Sequence, residues 1–167
     1  MKKFIINFLL LVVFFVLQTT VFNRLTIVGV MPNILIILIC VTGFMQGDKA
    51  ACILGFFAGL LVDLFSFRII GFHALLYCVL GFVTGQFHNT FYPEDFKLPL
   101  LVITGGDLGC SLLTYFFTYL FRSRFHFGFY FLNVTLPELA YTLFVGLLIY
   151  PLFLLLYRFV LSKRIQE

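Results

Sequence analysis

The sequence contains no tryptophan, and only 11% of its 167 residues are charged. A soluble domain of this length could not cover a chain that is 62% apolar, so lipid is the expected solvent. Long basic runs are missing too. The net charge of +4 comes from scattered residues and the two ends, which leaves no stripe to follow a nucleic-acid backbone. HExxH, GxSxG, a phosphate-cradling glycine loop and a Ser-His-Asp set are all absent, so the chain reads as no enzyme. Cys40, Cys52, Cys78 and Cys110 form no CxxC pair and sit in apolar runs, as small hydrophobes do. No cofactor and no metal is implied by these patterns.

What is present is phenylalanine, 25 of them, in apolar segments separated by charged punctuation. Six segments result, at about 4–22, 33–46, 50–67, 69–87, 98–121 and 138–157, each near the length a bilayer demands. The first resembles a secretory signal, but its apolar stretch is long and no small-x-small cleavage site follows Gln18, Thr19 and Thr20. It reads as a retained helix. The second is short, and the uncharged stretch before Pro32 reads as re-entrant or interfacial. The expected fold is therefore an all-α integral membrane protein, a single six-span domain over 1–167. With both termini cytoplasmic, seven basic residues (Lys2, Lys3, Lys49, Lys97, Arg158, Lys163, Arg164) face inward and four (Arg24, Arg68, Arg122, Arg124) outward. That balance favours this orientation.

One acid lies deep in the third segment. Ten Leu, Ile, Val or Phe residues between Ala50 and Phe67 favour insertion by roughly 0.3 to 0.6 kcal/mol each, which outweighs roughly 2.5 to 3.5 kcal/mol for Asp63. Ala51, Gly55, Gly59 and Asp63 recur every four residues and share one ridge. The small residues admit a neighbouring backbone, so the ridge reads as a helix-packing or partner seam with Asp63 at its polar end. A hydroxyl, amide or backbone donor on another helix or subunit is the expected partner, since Arg68 is turned away by five residues. A plain hydrogen-bonding role predicts that Asp63→Asn largely preserves assembly and Asp63→Leu damages it.

The fifth segment carries a second polar line, Thr104, Asp107, Ser111, Thr114 and Thr118, spaced 3, 4, 3, 4. It is a candidate cavity face. Serine and threonine also bond their own helix backbone, which would leave only Asp107 to explain, and both readings stay open. Gly105 and Gly109 form a separate expected close-packing pair. His73 and Glu138 open the fourth and sixth segments, with no ligand pair at i, i+4 to make a metal site. In Arg122 to Asn133, alternate phenylalanines read as an aromatic layer at the headgroups or a strand-like edge for a periplasmic partner.

The order of these features resembles the MreD family, the rod shape-determining membrane proteins of bacteria. The residues that carry the likeness are the basic start and a first helix ending near Gln18, Met31-Pro32-Asn33, and GFFAGLLVD at 55–63. Gly71-Phe72, Leu75 to Tyr77, Gly81, Gly85, Leu136-Pro137 and Tyr141 continue it. The resemblance implies a fold similar to the six-helix substrate-binding component of energy-coupling-factor transporters. It also implies a non-enzymatic scaffold of the cell-elongation complex in the inner membrane. Its partners there would be MreC, and through it MreB, RodA and the transpeptidase partner of RodA, with membrane lipids around. The rival reading is a vitamin-binding transporter component. Such components carry an AxxxA patch on the first helix, and Phe4 to Phe22 contains no alanine.

Overall fold

The computed structural model describes residues 2–22, 32–66, 71–90, 97–120, 128 and 131–162. All regular structure among them is helical. The six helices are α1 (Lys2–Leu17), α2 (Ile34–Gln46), α3 (Asp48–Ser66), α4 (Phe72–Gln86), α5 (Lys97–Leu120) and α6 (Leu136–Ser162). A π turn, Gln18–Phe22, extends α1, a 3-10 turn, Phe87–Thr90, follows α4, and a second π turn, Phe131–Thr135, leads into α6. Each helix lies on one of the six apolar segments. Isoleucine-rich stretches such as ILIILIC at the start of α2 are mediocre helix formers in water. In hydrocarbon the backbone must satisfy its own hydrogen bonds, and an isolated segment can do so only as a helix.

The short second helix is the axis of the bundle. Its 13 residues span about 20 Å, less than the roughly 30 Å of a hydrocarbon core. Every residue from Ile34 to Phe44 is buried, and α2 packs against all five other helices. A helix wrapped by protein on every side need not match the bilayer itself. Among the described residues only Lys97–Phe117 of α5 is both long and apolar enough to cross a membrane by that test, while Ile5–Val21, Ile34–Gln46 and Leu136–Leu152 are apolar but shorter.

The surrounding helices turn large apolar side chains outward: Ile5, Leu9 and Val16 on α1, Leu75 and Val79 on α4, Phe144, Leu148 and Leu155 on α6. A belt of this kind belongs against lipid tails rather than water. Pro151 sits within α6 on an exposed face, which membrane helices tolerate. At the α2–α3 turn Gly47 adopts φ 90° and its N–H donates to the Gly43 carbonyl at 3.0 Å. That left-handed conformation favours glycine. The stretch before Pro32, Arg24, Arg68, Arg122, Arg124 and Phe125, Phe127 and Phe129 lie outside the described residues.

Candidate functional site

Helices α3 and α4 form an antiparallel hairpin whose contact is set by small residues on both sides. A Cβ placed on Gly55 would overlap the Tyr77 carbonyl, and one on Gly59 the His73 carbonyl. From the other helix, a Cβ on Gly81 would strike the Ala51 carbonyl, and one on Gly85 the backbone of Asp48. Steps of four residues along α3 thus meet steps of four along α4, and only hydrogen is small enough at these four points. The ridge of Ala51, Gly55 and Gly59 therefore faces α4 of its own chain.

Asp63 stands where that ridge ends, with no solvent exposure. Its Oδ2 accepts the backbone N–H of Gly71 at 2.8 Å, His73 at 3.1 Å and Ala74 at 3.2 Å. Its Oδ1 lies 2.7 Å from His73 Nδ1. The first N–H groups of a helix have no intrahelical acceptor and carry the positive end of its dipole. Gly71, at φ 98°, precedes α4 and has no side chain to cap it. Asp63 supplies the cap from the neighbouring helix. The expected backbone donor is thus three donors, and the imidazole is a fourth partner that sequence spacing did not reveal.

The same device recurs at α2. Asn33 makes no side-chain cap there. Instead Gln18 Oε1, from the π turn after α1, accepts the Leu35 N–H at 3.3 Å. At the opposite end of the bundle, Asn7 and Gln46 exchange two amide hydrogen bonds, of 2.8 and 2.9 Å, joining α1 to α2. The His88 imidazole bonds the Phe44 carbonyl at the end of α2. Asp63, Gln18, Asn7, Gln46 and His88 thus each tie one helix to another.

The polar line on α5 divides. Thr104 bonds its own helix at the Leu100 carbonyl, 2.6 Å away, so it takes no part in a cavity. Asp107, Ser111 and Thr114 line a chamber of about 110 Å³ with Asn33 from the start of α2, His73 and Tyr77 from α4, and Glu138 from α6. The side chain of Thr118 lies outside the described residues. In the chamber wall Asn33 Nδ2 donates to the Tyr77 hydroxyl at 2.9 Å, and the Ser111 hydroxyl donates to Glu138 Oε2 at 3.3 Å. The Asn33 N–H donates to the Thr142 hydroxyl at 3.2 Å, which in turn bonds the Asp107 carboxylate. No group of three His, Cys, Asp or Glu residues suited to a metal occurs among the described residues.

Two further arrangements escape sequence reading. Cys52 and Cys78, free thiols on α3 and α4, have their sulfurs 2.7 Å apart. The glycine contacts bring them there, not any motif. Gly105 and Gly109, expected as a close-packing pair, meet nothing within 4 Å of a built Cβ among the described residues. They instead floor an apolar groove between α4 and α5, bordered by Leu76, Val79, Leu101 and Leu113.

A protein-family model described as rod shape-determining protein MreD matches residues 2–160. No curated protein and no solved structure matches the chain.

Proposed function

Because the chain belongs to the MreD family of rod shape-determining proteins, we propose that it is a multi-pass scaffold of the bacterial inner membrane. In this reading the bundle crosses the membrane six times with both termini in the cytoplasm. It helps to organise MreC, and through MreC the MreB filaments and the peptidoglycan synthases RodA and its transpeptidase partner.

The observation that carries the reading is the use made of Asp63. In an enzyme or proton relay, a buried acid is held ready for a substrate or a proton. Here its carboxylate is committed to three backbone N–H groups and an imidazole of its own chain. Such an acid fixes a helix pair in one geometry, which suits a protein whose outer faces must present constant surfaces to partners. Glu138 and Gln18 are likewise bonded across helices. The vitamin-carrier alternative has less support. The polar chamber, at about 110 Å³, falls below the roughly 300 to 1,000 Å³ of pockets that enclose drug-sized molecules. The larger groove between α4 and α5, at about 330 Å³, offers among the described residues only Thr84 and Cys110 as polar side chains to orient a vitamin.

Affinity capture of the tagged chain from native membranes tests the proposal. MreC should be recovered with it, and depletion of the chain should turn rods into spheres. Saturable vitamin binding by the purified protein, with normal cell shape after depletion, would overturn it.

A further inference from the structure

Asp107 is 1% exposed, and its Oδ2 has no hydrogen-bond partner among the described residues. Asn33 Oδ1, in the wall of the same chamber, is buried and also without one. With Asp107 ionised, both atoms accept hydrogen bonds and donate none, so neither can satisfy the other. An unpaired carboxylate oxygen at this depth is costly unless positive charge or a donor reaches it. Among the described residues no lysine or arginine lines the chamber. His73 is the one cationic candidate that the described residues bring to the wall, and its Nδ1 is engaged by Asp63.

The remaining wall is rich in oxygen. Ser111, Thr114, Tyr77 and Glu138 bring hydroxyl and carboxylate oxygens to the same space. Among the described residues, the Cys110 thiol of α5 and the His73 imidazole are the one sulfur and the one ring nitrogen donor in this wall. A set in which hard oxygen donors predominate suits an alkali cation rather than a transition metal. Glu138, the second acid in the wall, already accepts the Ser111 hydroxyl at 3.3 Å. That leaves Asp107 Oδ2 as the carboxylate oxygen without a donor among the described residues, and it calls for one positive charge. At about 110 Å³ the space admits a bare or partly hydrated ion, since water occupies about 30 Å³ in the liquid.

We propose that the chamber between α2, α4, α5 and α6 is a binding site for a small monovalent cation, sodium-sized, with Asp107 as its anionic anchor and Asn33 Oδ1 as a neutral ligand. The chamber touches four helices, so an ion there fastens α5 and α6 to the α2–α4 core. The well-packed hairpin of α3 and α4 does not depend on it. The site is independent of the scaffold reading and would exist in a bundle with any partner.

The full chain, purified in nanodiscs, is titrated with sodium chloride against choline chloride at matched ionic strength. Thermal unfolding and tyrosine fluorescence are followed together. With no tryptophan in the chain, Tyr77 in the chamber wall contributes to the signal. The proposal expects a saturable rise in melting temperature and a fluorescence change with sodium, neither with choline. Asp107→Asn should weaken the sodium response at least tenfold, and Glu138→Gln should weaken it less. If Asp107→Asn does not fold, Thr114→Val at the wall and the loss of the fluorescence change in Tyr77→Phe serve in its place. Equal responses to sodium and choline, or none to either, would mean that water alone fills the chamber and would overturn the proposal. So would a response to calcium without one to sodium, or an undiminished sodium response in Asp107→Asn.

Discussion

His73 meets Asp63 twice: its ring Nδ1 lies 2.7 Å from Oδ1, and its backbone N–H donates to Oδ2 at 3.1 Å. Together with Gly71 and Ala74, this makes one carboxylate the cap of α4 and the lock of the α3–α4 hairpin.

That geometry revises what a conservative replacement does. Asparagine offers one acceptor oxygen where aspartate offers two, and its NH2 would point at donors. Asp63→Asn should therefore be clearly destabilising rather than nearly neutral, and Asp63→Leu worse. Lost caps cost about 0.5 to 2 kcal/mol, and bonds to charged groups contribute about 1.5 to 3 kcal/mol. His73→Ala, which keeps the backbone donors, should fall between wild type and Asn. Thermal unfolding of the purified variants orders the four proteins; a neutral Asp63→Asn would show that the cap carries little.

The two glycine pairs should behave oppositely. Gly59→Ala drives a methyl group into the His73 carbonyl and should lower the melting temperature strongly, with Gly59→Leu failing to assemble. Gly105→Ala enters open space and should be neutral or stabilising, by up to about 1 kcal/mol from helix propensity. Recovery of folded protein by size-exclusion chromatography distinguishes them.

Mild oxidation of native membranes should join Cys52 to Cys78 within one chain, because their sulfurs already touch. Mass spectrometry of the digested protein should find that single cross-link and none involving Cys40 or Cys110, which lie buried elsewhere in the bundle. Failure to form it would contradict the α3–α4 register.

Asn7 and Gln46 should be coupled. A double-mutant cycle with Asn7→Leu and Gln46→Leu should return roughly 0.6 to 1.7 kcal/mol, as for other interhelical bonds in membranes. Additive single effects would place the two amides apart.

Hydropathy and spacing determined a good deal without tertiary structure. Six apolar segments became six helices, since a backbone in lipid has few other ways to satisfy itself. The four-residue recurrence of Ala51, Gly55, Gly59 and Asp63 is visible in the chain, because a helical ridge is a local, periodic property. Its facing glycines, Gly81 and Gly85, were visible too, though only as part of a family likeness.

The partners of these residues were decided by the tertiary structure alone. Helices that are apolar on every side carry no amphipathic signal to say which face turns inward. Gln18 reaching Leu35, Asn7 reaching Gln46 and Cys52 meeting Cys78 follow from helix placement, which no local period encodes. Thr104 and Asp107 share a face in the sequence, yet one bonds its own backbone and the other opens on a chamber. The difference lies in what stands opposite each. Where a polar group sits on its helix is a local property of the chain, and only the packing of other helices around it decided whether that group became a cap, a clasp or the wall of a cavity.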